Sequence, residues 1–65
     1  MPRENILILE YIGRHGRITT AQALELTAIP RPTVRLRLSQ LVEAGLLEAK
    51  GQGRGAFYVK SVKLK

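Results

Sequence analysis

The stretch from Arg31 to Leu46 constrains the fold more than any other part of the sequence, because both ends of one helix are written into it. Pro32 suits the first helical position, where its missing N–H has no intrahelical partner to lose and its φ is already helical. Arg31, as the residue before a proline, is pushed toward extended backbone and is expected to be the non-helical cap. Val34, Leu38, Leu41 and Val42 then follow at i, i+4, i+7 and i+8, the spacing that lines up one apolar face. Gly45 supplies the left-handed residue that stops a helix, and Leu46 is placed for the hydrophobic contact of a Schellman cap. The expectation is an amphipathic helix over 32–44 with one buried side.

The neighbouring segments are legible by the same local signals. Thr19 and Gln22 have the spacing of a capping box, so a second helix is expected from about Thr20 to Thr27 or Ala28, carrying Ala21, Ala23, Leu24 and Leu26. Only about four residues then separate the two helices, the connection of a helix-turn-helix. A first helix is expected from about Glu4 to Arg14, with Gly13 and Gly16 bracketing its end and Arg14 and His15 matching the negative end of its dipole. Ile8, Ile12 and Leu9 should face the core, whereas Ile6 and Leu7 lie partly on other sides of the helix, more apolar surface than one stripe needs. Ile18 is expected as a one-pair strand. Leu47 to Lys50 and Ala56 to Lys60 are two short strand candidates, joined by Gly51-Gln52-Gly53-Arg54-Gly55, whose glycines permit the positive φ of a tight hairpin. The predicted order is α-β-α-α-β-β: an α+β fold of three helices with a small antiparallel sheet, one domain over 1–60 and a basic tail over 61–65.

Size and charge narrow the function classes. At 65 residues without a cysteine, the chain has neither disulfides nor thiolate metal sites and must hold together by packing or association. No apolar run approaches the ~20 residues that cross a bilayer, and the residues after Met1 do not read as a secretory signal. A cytoplasmic protein associated with the nucleoid is expected, without a membrane partner. Eleven Lys and Arg against five Asp and Glu give a net charge of +6, which favours polyanionic partners. Arg31, Arg35 and Arg37 form one basic group, Lys50 and Arg54 a second, and Lys60, Lys63 and Lys65 a third.

The element order, together with Ile18-Thr19-Thr20-Ala21, Arg31-Pro32-Thr33-Val34-Arg35 and Glu43-Ala44-Gly45-Leu46-Leu47, resembles the winged helix-turn-helix domains of bacterial transcriptional regulators, of the DeoR and GntR types especially. The hairpin from Gly51 to Val59 is also similar to the wing of winged helices at the C-terminus of larger bacterial proteins such as Fic-type proteins. Pro30 departs from the serine cap usual there, and Leu36 from a common arginine or polar residue. The resemblance implies sequence-specific binding of double-stranded DNA, by a transcriptional regulator or by the DNA-binding module of a larger protein. Helix 32–44 would lie in the major groove and wing 51–55 at the minor groove.

On that reading the side of the third helix opposite Val34, Leu38 and Leu41 meets DNA. It carries Pro32, Thr33, Leu36 and Gln40, flanked by Arg35 and Ser39. Gln40 suits adenine, Thr33 a base or a phosphate, and Leu36 a thymine methyl. Arg31, Arg35, Lys50 and Gln52 suit phosphates, and Arg54 at a glycine-rich tip suits a narrow minor groove. The same arginines are also what any solvated helix face carries. No Ser/His/Asp set, carboxylate pair, metal cluster or phosphate loop is recognisable, so neither catalysis nor a cofactor is expected. Phe57 and Tyr58 alternate along the last strand, so one should close the core and the other lie at its edge. The alternative function is a protein-interaction winged helix that docks through helix one, and Ile6 and Leu7 suggest a homodimer or a host-domain contact there.

Overall fold

The computed structural model describes residues 2–51 and 55–61. Its elements run α1 (Arg3–His15), β1 (Arg17–Thr19), α2 (Thr20–Thr27), α3 (Arg31–Glu43), β2 (Leu47–Lys50) and β3 (Phe57–Lys60), the order expected. The strands form one antiparallel sheet in the order β1-β3-β2, so the last strand lies between the other two. Ile18 is the middle of a three-residue strand rather than an isolated pair, opposite Tyr58, with Thr19 opposite Phe57.

Each helix begins and ends on identifiable chemistry. The Thr19 side chain accepts from the Gln22 N–H (3.1 Å) while the Gln22 Oε1 accepts from the Thr19 N–H (2.9 Å), satisfying two donors that the first turn of α2 leaves open. The start of α3 differs from expectation by one residue. Pro30 is the cap, at φ −59° and ψ 148°, its carbonyl accepting from the Val34 N–H at 3.0 Å, and Arg31 is the first helical residue. Pro32 is therefore second in the helix, where its N–H would again have had no partner, so the shift costs no hydrogen bond. At the other end the Gly45 N–H donates to Val42 O and the Leu46 N–H to Leu41 O, the paired bonds of a Schellman motif, with Gly45 at φ 82°.

The end of α2 is less comfortable. Ala28 adopts φ 58° and ψ 29° so that its N–H reaches Leu24 O at 2.8 Å. A Cβ in this region costs roughly 1–2 kcal/mol, against a smaller entropic cost for glycine. Ala28→Gly should therefore stabilise the domain by about 0.5–1 kcal/mol, read as a rise of several degrees in melting temperature.

The core takes residues from five elements: Ile8 and Ile12 of α1, Ile18 of β1, Ala23 of α2, Val34, Leu38 and Leu41 of α3, and Leu47 of β2, all nearly or completely buried. Each large member contributes about 1.5–3 kcal/mol by leaving water. Tyr58 packs against this cluster from β3, while Phe57 lies under the Arg17 guanidinium, 5.0 Å from its ring centre. Tyr58 thus joins the core while Phe57 lies on the other face of the sheet, as alternation requires. Two features escaped the sequence reading. Asn5 occupies the buried stripe of α1, its Oδ1 without a partner among the described residues. Ser61, first residue of the expected tail, is buried, and its N–H donates to Leu46 O at 3.0 Å.

Candidate nucleic-acid interface

With Val34, Leu38 and Leu41 in the core, the opposite side of α3 must face solvent, and Leu36 lies near its centre at 52% exposure. Pro32, Ser39 and Gln40 surround it and are exposed, while Thr33 is half-buried at the boundary. Glu43, which the sequence reading passed over, is exposed near the helix end. Leu36 and Ile6 are the large hydrophobic side chains exposed among the described residues.

The arginines of α3 separate by angle. Each residue turns the helix by 100°, so Arg35 and Arg37 leave on opposite flanks of Leu36. Arg35, with Arg31, borders an open groove of about 630 Å³ whose other walls are Thr19, Thr20 and Ala21 at the start of α2 and Ala56 and Tyr58 on the sheet side. Two guanidiniums beside the positive end of a helix form a surface suited to a phosphate oxygen. The wall of threonines and Tyr58 was not anticipated. It joins segments far apart in sequence, which no local pattern reveals.

Arg37 goes the other way. Its Nε donates to Glu4 Oε2 of α1 at 2.9 Å, and its Nη1 donates to Gln40 Oε1 at 3.1 Å. The Glu4 carboxyl lies below its ordinary pKa of 4.5, chiefly because its own backbone N–H bonds to it, then because of Arg37, with burial opposing. Arg37 is thus spent within the protein, apart from Arg31 and Arg35. Lys50 is exposed beside Glu48 of the same strand, Nζ to Oε1 3.4 Å, a pair worth little in water.

The described residues of the hairpin support a tight base. Gly51 has φ 74°, and a Cβ there would stand 2.7 Å from the Gly55 carbonyl oxygen, so only glycine lets the two sides approach this closely. Gln52 and Arg54, expected at the wing tip, lie outside the described residues. On α1, Ile6 is 45% exposed, whereas Leu7 is half-buried beside Arg3, Glu4, Thr27 and Ile29. Tyr11 and His15 stack one turn apart, ring centres 4.2 Å, and His15 is exposed at the helix end as expected. Among the described residues no cluster of His, Asp or Glu is arranged to hold a metal, and no helix is long and apolar enough to cross a membrane.

Comparison with known proteins places this geometry. The profile of the MarR family matches residues 1–55. A MarR family transcriptional regulator from Silicibacter pomeroyi DSS superposes with a TM-score of 0.82 at 24% identity, covering 95% of this chain and 43% of that one. The Bordetella bronchiseptica protein BpsR, whose DNA binding is regulated by 6-hydroxynicotinic acid, superposes with a TM-score of 0.80 at 19% identity, covering 97% and 47%. No curated protein matches. The chain therefore spans less than half the length of either solved relative. The winged helix-turn-helix expected from sequence is the fold found. The family whose profile matches is MarR, where the sequence had suggested DeoR, GntR or Fic-type relatives.

Proposed function

The chain belongs to the MarR family, and from that premise we propose that it binds double-stranded DNA sequence-specifically as the reading domain of a transcriptional regulator, α3 lying in the major groove. The observation that carries this reading is the exposed side of α3. There Leu36 and Gln40 stand between the Arg31 and Arg35 flank and a core-facing stripe that fixes the helix axis. Pro32 and Thr33 complete the base-facing surface, and Lys50, Gln52 and Arg54 add phosphate or minor-groove contacts from the hairpin.

Association through α1 completes the proposal. Ile6 offers exposed apolar surface and Leu7 a half-buried neighbour, suited to a second copy or to a host domain in a longer protein. Two copies on one duplex would give a reader this small useful affinity.

Binding to a duplex at increasing salt tests the reading. Five phosphate contacts, from Arg31, Arg35, Lys50, Arg54 and the basic tail, imply a log–log slope of about −4 to −5, and Arg54→Ala should reduce it by about one. A slope near zero would refute a phosphate-dominated interface and favour docking of a protein partner on α1.

A further inference from the structure

We infer that Arg37 is a positioning residue for base recognition, turning the Gln40 amide oxygen toward the protein so that Gln40 presents a base chiefly with its Nε2 donor. The inference rests on the proposed placement of α3 in a major groove.

Arginine has donors and no acceptor, so the Gln40 atom that meets Arg37 Nη1 at 3.1 Å must be the amide oxygen, and the orientation of the amide follows from chemistry alone. Gln40 Nε2 has no partner among the described residues and Gln40 is exposed, which leaves that donor for a ligand. What holds the guanidinium is Glu4, 33 residues away on α1, at 2.9 Å from Nε. The two side chains are only 27% and 21% exposed, so Arg37 is pinned between two acceptors rather than sweeping through solvent. A planar guanidinium satisfies both at once, which a lysine ammonium on the same helix would not do with the same geometry.

The consequence is a base preference. Glutamine pairs with adenine by accepting from N6 and donating to N7 together, which requires the amide oxygen and nitrogen side by side at the base edge. The oxygen keeps a second lone pair, but Arg37 rather than the base fixes its direction, so the side-by-side approach that this pairing needs is weakened. Adenine then offers the Nε2 donor one acceptor, N7, beside an unmatched N6 donor, whereas guanine offers two acceptors, N7 and O6. The adenine contact expected from sequence is thereby replaced by a guanine contact, and the residue responsible points away from the DNA face.

Selection of duplexes from a random pool by the full chain, followed by equilibrium titration of guanine and adenine versions of the winning site, tests the inference. The wild type is expected to favour guanine about tenfold at one position. Gln40→Ala should abolish that preference. Arg37→Met should bring the two bases within about twofold or reverse their order, and Arg37→Lys, which keeps the charge opposite Glu4 and so guards against misfolding, should do the same. Arg37→Met combined with Gln40→Ala should behave as Gln40→Ala alone. A guanine preference that survives Arg37→Lys and Arg37→Met in folded protein overturns the inference, as does one indifferent to Gln40→Ala, while duplex binding itself stands. No duplex binding by the wild type overturns the proposed function and this inference with it.

Discussion

Replacing Arg31 and Arg35 together by alanine is expected to weaken duplex binding about a hundredfold or more and to lower the salt slope by about two, with the fold intact. Both side chains are exposed and border the groove between α2 and α3, and no core residue depends on them. Charge-assisted bonds to phosphate are worth roughly 1.5–3 kcal/mol each, and a hundredfold is about 2.7 kcal/mol, so even the weaker estimate for two contacts reaches it. A matched control separates contact from mere charge: Arg3 and Arg14 are exposed on α1, and their double replacement removes the same formal charge. Fluorescence anisotropy titrations at two salt concentrations should show a much smaller loss for that control. Equal losses would mean that net charge, not this groove, drives binding.

The second large effect is on stability. Leu38→Ala should lower the melting point by roughly 10–30 °C. Leu38 is completely buried at the centre of the α3 stripe, among residues drawn from α1, the sheet and α2. Truncations of this kind cost about 2–5 kcal/mol, and a chain of this size has a total of roughly 3–10 kcal/mol to lose. Leu38→Met, which keeps the volume, should cost less than about 1.5 kcal/mol. Circular dichroism melts of the two variants check the pair. A Leu38→Ala protein that melts with the wild type would show that the side chain is not where the core is.

Much of this architecture is legible in the sequence because its signals are local. The capping box at Thr19 and Gln22, the Schellman end at Gly45 and Leu46, and the spacing of Val34, Leu38 and Leu41 each depend on residues within a few positions of one another. The candidate face was legible to the same depth: the exposure of Leu36 and Gln40 on α3 follows from helical periodicity once the core side is known. What stayed hidden depends on how elements meet. Arg37 reads as one more basic residue of a solvated face until α1 brings Glu4 against it, and only then does the state of Gln40 change. Tyr58 and Thr20 join Arg31 and Arg35 in one groove only because β3 lies beside β1. The one-residue shift at Pro30 has a different origin: neither of the first two helical N–H groups has an intrahelical partner, so the preference of proline for the first position is a weak signal that the Pro30 cap overrides.

The position of β3 between β1 and β2 has a consequence for the order of events during synthesis. The two outer strands do not pair with each other, so until residues 57–60 emerge neither has a hydrogen-bonding neighbour, although all three helices have already left the ribosome. Helices of 8 and 13 residues are marginal on their own and depend on the same core, in which Ile18 and Leu47 are held by strands that await a partner about forty residues downstream of the first, a closure that slows folding. At ~5–20 residues per second, the emerging chain therefore spends seconds with its helices exposed and its sheet unmade. A chaperone or protease that meets the chain before β3 has paired encounters an unmade sheet, and one four-residue strand completes it.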